Sequence, residues 1–211
     1  MKRLLIATKN EGKFNELRTF LSHLPLGIVS LSDLDIKADI DENGKTYAEN
    51  SKKKALFFAK LSGLPTIADD AGLEIDALGG APGVKTRRWL GKRSTDKELA
   101  AYVKKISKAL PDDNRTAYFK AVITFAMPDG RFFQESGEVE GIISKNIHLK
   151  LLKGYPFRSF FYLPEIKKYF HENELSENEQ KLYNHRYKAI VGLKPIITKI
   201  LGLKDYSDKS V

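Results

Sequence analysis

The feature that most constrains the fold is a pair of long β-prone runs, TAYFKAVITFAM and RFFQESGEVEGII, separated only by Pro128-Asp129-Gly130. A turn-forming triplet between two such runs predicts a β-hairpin over residues 116–143. Strand-like and helix-like patterns alternate earlier in the chain, while strand-like runs cluster in its middle. We therefore predict an α/β domain with a mixed central β-sheet flanked by helices.

Helices are predicted after the strand-like run RLLIAT at 3–8, at Thr46, at Thr95 and at Ser176. Thr46 and Ser176 each begin a capping-box pattern, in which a glutamate three residues later can reach back to the cap. Pro195 should kink or split the last of these helices. The aromatic-rich segment GYPFRSFFYLP at 154–164 is strand-like.

Composition limits the kind of protein this chain can form. Its 211 residues are 42% hydrophobic, enough for a substantial core, and 36 Lys and Arg against 27 Asp and Glu give a formal net charge of +9. Such a surplus attracts anions such as nucleotides or nucleic acid. We find no cysteine, no arginine-flanked apolar leader and no apolar stretch near the ~20 residues that cross a bilayer. We expect a soluble cytoplasmic protein with one two-lobed domain at 1–203 and a flexible tail at 204–211.

A polar turn between the first strand and the first helix is a candidate phosphate site. It comprises Thr8, Lys9, Asn10, Glu11, Gly12 and Lys13. Its backbone N–H groups and the positive end of the helix dipole point at one spot, to which Lys13 adds a full charge. It lacks the second glycine and the Lys-Ser/Thr ending of a Walker loop, so a plain strand-to-helix connection is the alternative.

A second candidate is the acid pair Asp69-Asp70, with Asp41, Glu42 and Glu49 upstream. We place the pair at the end of a short buried strand at 66–70, and thus at a sheet edge. Adjacent carboxylates repel and are tolerated there only if solvent, a cation or hydrogen bonds satisfy them. Oxygen ligands without His or Cys suit Mg²⁺, which is usually shared with substrate phosphates. The alternatives are a turn or cap for the pair and a capping box for Glu49.

The third candidate is Asn184-His185-Arg186, followed closely by Lys188, inside the C-terminal helix. Histidine offers a hydrogen-bond donor, and arginine offers a planar fork that can grip a base edge, stack on it or clamp a phosphate. A surface helix start with a solvated histidine is the alternative.

Taken together, these segments resemble the inosine triphosphate pyrophosphatase family. Four blocks occur in the family's order and approximate spacing: ATKNEGK at 7–13, TYAENSKKKA at 46–55, IADDAGLEIDALGGAPGV at 67–84 and NHRYKA at 184–189. The third block is the most specific. The resemblance spans almost the whole chain.

The resemblance implies an elongated α/β fold with a cleft between two lobes, usually assembled as a homodimer. Members hydrolyse deaminated purine nucleoside triphosphates, with Mg²⁺, to the monophosphate and pyrophosphate. The resemblance places triphosphate recognition on Thr8, Asn10, Lys13 and Lys54. It places metal binding on Asp41, Glu42, Asp69 and Asp70. Asp70 matches the family's proton acceptor.

The segment that reads the base departs from the family pattern. The family has roughly Gly-Phe-Gly-Tyr-Asp-Pro-hydrophobic-Phe, whereas this chain has GYPFRSFF at 154–161. Arg158 thus replaces an acid, while Phe157 remains as an aromatic for base stacking. We predict that pyrophosphohydrolase chemistry is retained and that selectivity for 6-oxopurines is weakened or redirected.

Further departures accompany this one. A Ser-His-Arg signature has become Asn184-His185-Arg186, an expected lysine is Gln180 with Lys181 beside it, and the serine after the acid pair is Ala71. We nevertheless assign substrate binding to this side of the site, on Ala71, Phe157, Arg158, Lys181, His185 and Arg186.

A non-catalytic nucleotide- or nucleic-acid-binding protein on the same scaffold is the alternative function. The net charge of +9 and the altered base segment favour it. A polyanion-binding surface, however, has no use for Asp69-Asp70 beside a lysine cluster, whereas a Mg²⁺-triphosphate site needs both. We therefore favour the enzyme and do not expect nucleic acid as its partner.

Overall fold

The computed structural model describes residues 1–148 and 150–204. Its strands are β1 (Lys2–Ile6), β2 (Leu26–Ser30), β3 (Thr66–Ile75), β4 (Thr116–Ala126), β5 (Phe132–Ile143), β6 (Phe161–Leu163) and β7 (Lys168–Tyr169). Its helices are α1 (Glu11–Leu21), α2 (Tyr47–Ser62), α3 (Asp96–Ala109), α4 (Glu177–Leu182) and α5 (His185–Leu201). Short 3₁₀ turns occur at Asp76–Leu78, Gly83–Arg88 and Arg158–Phe160.

The strands form one seven-stranded sheet in the order β2-β1-β3-β4-β5-β6-β7. β1 runs parallel to β2 and β3, whereas β6 runs antiparallel to β5 and β7. Both kinds of pairing in one sheet confirm the predicted mixed sheet. The predicted hairpin is formed by β4 and β5, whose turn is closed by a 2.8 Å bond from the Met127 N–H to the Arg131 carbonyl.

The chain divides into two compact units, each with its own core. The first unit contains Met1–Asp70, Val122–Ser136 and the residues from Ala189 onward, and the second contains Ala71–Ala121 and Gly137–Lys188. The first core includes Leu5, Ala7, Leu31, Ala55, Phe58, Ala59, Ala68 and Ala126. The second core includes Leu73, Leu99, Val103, Phe119, Val139, Phe157, Phe160, Phe161 and Phe170. The cleft, the homodimer and the domain limits stay predictions.

The helix starts follow the sequence signals. Thr46 caps α2 by accepting a 3.1 Å bond from the Glu49 N–H, and Gly63 ends this helix in the left-handed conformation. Thr95 and Ser176 form complete capping boxes at α3 and α4. The predicted starts are therefore confirmed, but the capping box predicted at Thr46 is not formed, because the Glu49 carboxylate accepts from the Lys45 N–H instead.

β3 differs from the prediction. It continues from Thr66 to Ile75 through Asp69, Asp70 and Gly72, and it lies between β1 and β4. Its pairing with β1 covers only Thr66 and Ile67, so beyond these residues the neighbouring strand β4 outweighs the weak strand preference of Asp and Gly. The prediction that the strand ends at the acids is therefore wrong, although on the β1 side the acids do lie beyond the last paired residue, Ile67.

The single C-terminal helix of the prediction is also corrected. The chain forms α4 and α5, and the Asn184 side chain starts α5 by accepting bonds from the N–H groups of Arg186 and Tyr187 at 2.9 and 3.2 Å. Pro195 lies inside α5 without splitting it. Both Pro195 and Val191, whose carbonyl a proline cannot bond, are exposed.

Only Phe161–Leu163 of the strand-like segment 154–164 is a strand, and Arg158–Phe160 is a 3₁₀ turn. Within the predicted tail, Lys204 is exposed and residues 205–211 lie outside the described part of the chain. Among the helices of the described residues, none combines the length and apolar character needed to cross a membrane.

Candidate active site

Side chains of the turn after β1 fix the start of α1. Thr8 Oγ1 accepts a bond from the Asn10 N–H at 3.2 Å, and Asn10 Oδ1 accepts one from the Lys13 N–H at 3.2 Å. Asn10 is thus the N-cap of an 11-residue helix. The positive end of α1 lies at this turn, with Lys13 on its first helical turn.

Two lysines from different helices contact the acid pair of β3. Asp69 and Asp70 are only 1% and 8% exposed. Lys13 Nζ, from α1, lies 3.0 Å from Asp69 Oδ2. Lys54 Nζ, from α2, donates to the Asp69 backbone carbonyl at 2.8 Å and forms an ion pair with Glu42. Of the possibilities left open by the sequence, namely solvent, a cation or hydrogen bonds, lysine ammonium groups thus supply neutralising charge at the acid pair.

Asp70 has a different partner. Asn50, on the first turn of α2, donates from Nδ2 to Asp70 Oδ2 at 2.9 Å. Lys54 lies one helical turn further along, so Asn50 and Lys54 project from the same face of α2. One face of α2 thus reaches both acids of β3.

Burial and charge act in opposite directions on the acid and the base of this site. Burial raises the pKa of Asp70 to about 6, although Lys54, Lys13 and the Asn50 bond each act to lower it. Burial acts to lower the pKa of Lys54, but the attraction of Glu42, Asp69 and Asp70 outweighs burial and raises it. Lys54 therefore keeps its positive charge.

The raised pKa of Asp70 predicts how stability depends on pH. Because this pKa moves from 3.8 to about 6, the folded protein holds the proton more tightly than the unfolded chain, and the free energy of unfolding falls as pH rises through that window. A shift of about two pKa units corresponds to roughly 3 kcal/mol. We expect Asp70→Asn to be the more stable protein above pH 7, with the difference vanishing as pH falls toward 4. Urea unfolding of both proteins in metal-free buffer measures this, and parallel pH profiles would contradict it.

The loop before α2 supplies the remaining predicted acids. Glu42 contacts Lys54, whereas Asp41 is exposed and its backbone carbonyl accepts a 2.8 Å bond from Lys53. Glu49 accepts a 2.6 Å bond from the Lys45 N–H. Of these acids, Glu42 is the one that the structure brings to Lys54.

The oxygen donors suit a magnesium ion that is shared with a substrate. In the part of the chain that the structure describes, no three His, Cys, Asp or Glu side chains are arranged to hold a metal ion by themselves. The negative charges of Glu42, Asp69 and Asp70 nevertheless all act to raise the pKa of Lys54, so these three carboxyl groups lie near one ammonium group. Mg²⁺ needs only one or two carboxylates when water and substrate phosphates complete its ligands. The donor set therefore fits a metal–phosphate site and not a cage made by the protein alone.

In the second unit, Arg158 packs between two aromatic rings. Its Cζ lies 3.9 Å from the centre of the Tyr155 ring and 4.3 Å from that of Phe170. Arg186 Cζ lies 5.8 Å from the Tyr155 ring centre. Arg158 and Arg186 are both buried, at 8% and 4% exposed. Two guanidinium groups therefore lie within cation–π range of the Tyr155 ring.

The start of α5 is buried, contrary to the alternative of a solvated histidine. His185 is 1% exposed, and its ring stacks on Phe119 with 5.2 Å between ring centres and 13° between planes. Asn184 is 2% exposed. This segment is therefore packed polar structure, which places Arg186 beside Tyr155.

The remaining predicted residues are placed as follows. Phe157 is buried in the second core against Trp89, at 6.1 Å between ring centres. Lys181 pairs with Glu177 on α4 at 2.8 Å, and Ala71 lies in β3. Lys9 pairs with Asp39 at 3.0 Å, and Glu11 and Gly12 are the first residues of α1. The roles assigned to these residues stay predictions.

Two residues of these clusters were missed by the sequence analysis. Asn50 stands four residues before Lys54 in the block TYAENSKKKA, and this helical spacing was the signal that could have found it. Tyr155 lies in the base segment beside Phe157, and nothing in the sequence shows that the former ring contacts Arg158 while the latter fills the core.

Comparisons with known proteins cover nearly the whole chain. A profile of the Ham1 family matches residues 4–196. The dITP/XTP pyrophosphatase of Desulforamulus reducens is 36% identical over 198 residues, covering 94% of this chain and 96% of that protein. A dITP/XTP pyrophosphatase of Thermus thermophilus is 39% identical over 191 residues, covering 90% and 89%.

Solved structures show the same likeness. A HAM1 protein from Coxiella burnetii superposes with a TM-score of 0.78 at 32% identity, covering 94% of this chain and all of that chain (100%). The Staphylococcus aureus Ham1 protein gives a TM-score of 0.76 at 29% identity, with the same coverage of 94% and 100%.

Proposed function

The chain belongs to the Ham1 family, and from this premise we propose that it hydrolyses deaminated purine nucleoside triphosphates to the monophosphate and pyrophosphate in the presence of Mg²⁺. The relatives named dITP/XTP pyrophosphatase support the reaction and the substrate class. The resemblance to the inosine triphosphate pyrophosphatase family leads to the same conclusion.

The observation that carries the proposal is the contact of Lys13 and Lys54 with the acid pair of β3. Lys13 Nζ lies 3.0 Å from Asp69 Oδ2, and Lys54 Nζ lies 2.8 Å from the Asp69 carbonyl. A site for a metal–triphosphate complex needs cations for the phosphates and carboxylates for the metal within one small volume. This part of the first unit provides both.

The phosphates are bound by the turn after β1 and by the two lysines. The N–H groups at the start of α1 and its helix dipole favour an anion at Thr8 to Lys13. Lys13 adds a full charge from α1, and Lys54 adds another from α2. Charge and hydrogen bonding together orient the triphosphate without covalent contact.

Asp70 is the proton acceptor. Water attacks the α-phosphorus, the bond from this phosphorus to the oxygen that bridges to the β-phosphorus breaks, pyrophosphate leaves, and the proton of the water passes to Asp70. Asn50 holds the carboxylate of Asp70 through a 2.9 Å bond. One or two of the carboxylates of Glu42, Asp69 and Asp70 would hold a magnesium ion, with water and substrate phosphates as its other ligands, and the ion would supply charge stabilisation to the phosphates.

Base selectivity is assigned to the cluster of Arg158, Tyr155 and Arg186. A guanidinium donates hydrogen bonds and cannot accept them, so Arg158 cannot replace a carboxylate that accepts from the N1–H of a 6-oxopurine. Bases that present an acceptor in place of that N1–H therefore gain relative to inosine. We expect selectivity that is broader than, or shifted from, a strict preference for ITP.

A panel of nucleotides tests the reaction and the selectivity together. We expect Mg²⁺-dependent pyrophosphate release from XTP, ITP and dITP, with ATP, GTP, CTP and UTP measured beside them and EDTA as the control. An exclusive preference for ITP would contradict the selectivity proposal. Nucleotide binding without release of pyrophosphate would contradict the enzyme and favour the non-catalytic binding protein.

We further propose a cytoplasmic homodimer. Sedimentation equilibrium of the purified chain tests the assembly, and a monomer at micromolar concentration would contradict it.

A further inference from the structure

Asn50 connects two parts of the first unit, the acid-bearing strand β3 and the loop before α2. Its side chain is buried, at 1% exposed. Asn50 Nδ2 donates to Asp70 Oδ2 at 2.9 Å, and Asn50 Oδ1 accepts from the Gly44 N–H at 2.8 Å. One amide group therefore bonds both the acid on β3 and the loop that carries Glu42.

Gly44 leaves just enough room for this arrangement. A Cβ atom added at Gly44 would lie 2.7 Å from Asn50 Oδ1 and 2.8 Å from the Glu49 Cβ. Both distances are shorter than carbon contacts allow, so glycine is required here by space. The loop can approach the Asn50 amide only because position 44 has no side chain.

The first turn of α2 is itself held against the sheet by buried polar contacts. Ser51 Oγ lies 2.8 Å from Thr124 Oγ1 of β4. Gln134 of β5 donates from Nε2 to the Ala48 carbonyl and to Thr124 Oγ1, both at 2.9 Å. The bond from Gln134 to the Ala48 carbonyl therefore anchors the backbone that carries Asn50 without involving the Ser51 side chain.

We propose that Asn50 is a positioning residue, which orients the carboxylate of Asp70 for proton transfer and keeps the Glu42 loop beside it. This inference rests on the proposed function of the site. The amide of asparagine both donates and accepts, and both capacities are used. Aspartate of the same shape could accept from Gly44 but could not donate to Asp70, and leucine could do neither.

The test compares Asn50→Leu, Asn50→Asp and Gly44→Ala with Ser51→Ala as a matched control. Ser51 is as buried as Asn50 and is the next residue of α2, but its hydroxyl contacts Thr124 of β4 instead of the acids. A lost hydrogen bond to a charged group corresponds to roughly a 10- to 100-fold effect. We expect kcat for pyrophosphate release to fall by that factor in both Asn50 variants. The KM for nucleotide should change less than about threefold, because Lys13 and Lys54 remain.

The other two variants separate positioning from folding. Gly44→Ala should raise the Mg²⁺ concentration at half-maximal rate, because it displaces the Glu42 loop. Ser51→Ala should lower the Tm by about 4 °C and leave kcat within about twofold of the wild-type value. Equal kcat values for Asn50→Leu and Ser51→Ala, per folded molecule, would overturn the proposal.

A second measurement does not depend on activity. In ¹⁵N-resolved spectra of the wild-type protein, the two protons on Asn50 Nδ2, identified by their absence in Asn50→Asp, should exchange slowly with water. Fast exchange would contradict the hydrogen bond from Asn50 Nδ2 to Asp70, and this outcome can be read even if the variants fold poorly. Lack of turnover in the wild-type protein would instead refute the proposed function, while the exchange rates still decide whether Asn50 holds Asp70.

Discussion

Asp70→Asn is expected to reduce the kcat of pyrophosphate release by roughly 10²- to 10⁴-fold, the range found when a general base is removed. Asparagine has nearly the shape of aspartate and can still accept the 2.9 Å bond from Asn50 through its oxygen. It cannot accept a proton at neutral pH. The variant should therefore fold, bind nucleotide and fail at proton transfer.

The matched control for this variant is Asp76→Asn. Asp76 is exposed in the 3₁₀ turn that follows β3, and its replacement removes the same charge from the same region of sequence. We expect kcat within about twofold of the wild-type value, because no reacting group is touched. Steady-state pyrophosphate release, read beside far-UV circular dichroism, measures both variants. If Asp70→Asn kept more than a tenth of the activity, Asp70 would be removed from the mechanism.

Arg115→Met is expected to lower the free energy of unfolding by about 4 kcal/mol, because it leaves buried carbonyls unpaired. Arg115 is 9% exposed and donates to the Ile143, Leu110 and Ser107 carbonyls at 2.7, 3.0 and 2.6 Å. The Leu110 and Ser107 carbonyls belong to the C-terminal end of α3, where a cation also interacts favourably with the negative end of the helix dipole. Arg115 thus joins α3 to the end of β5.

Arg131→Met is the control for this effect. Arg131 also donates twice to one partner, Asp129, but the two side chains are 58% and 51% exposed. Exposed ion pairs contribute little, so we expect a far smaller loss than for Arg115→Met. Arg115→Lys should fall between the two, because an ammonium cannot match the planar fork of arginine. Urea unfolding at neutral pH measures all three, and an Arg115→Met loss no larger than that of Arg131→Met would contradict the assignment.

Local signals in the sequence predicted much of the fold. The cap at Thr46, the helix start at Thr95, the capping box at Ser176 and the turn at 128–130 depend on contacts over a few residues, so the sequence alone reveals them. The course of β3 does not follow from such contacts. Its continuation through Asp70 and Gly72 lies beyond the residues paired with β1 and depends on the neighbouring strand β4, which is distant in sequence.

The candidate site shows the same division. Lys13, Lys54 and the acid pair were predicted from their residue types and blocks, and the structure brings them together. The role of Asn50 depends on a bond to a residue twenty positions away, and the burial of His185 depends on its stacking against Phe119. A one-dimensional pattern does not contain these contacts, because each is formed between elements that the fold places side by side.

The ion pairs of Lys13 and Lys54 have a consequence for how ligands are taken up. These ammonium groups already offset the charge of Asp69 and Glu42. A triphosphate that attracts them leaves the two carboxylates with less positive charge nearby, which increases their affinity for a divalent ion. Thermodynamic linkage requires that the ion strengthen nucleotide binding by the same factor. Binding of the nucleoside triphosphate and of the divalent ion should therefore be cooperative. The site should bind phosphate compounds more weakly when no divalent ion is present.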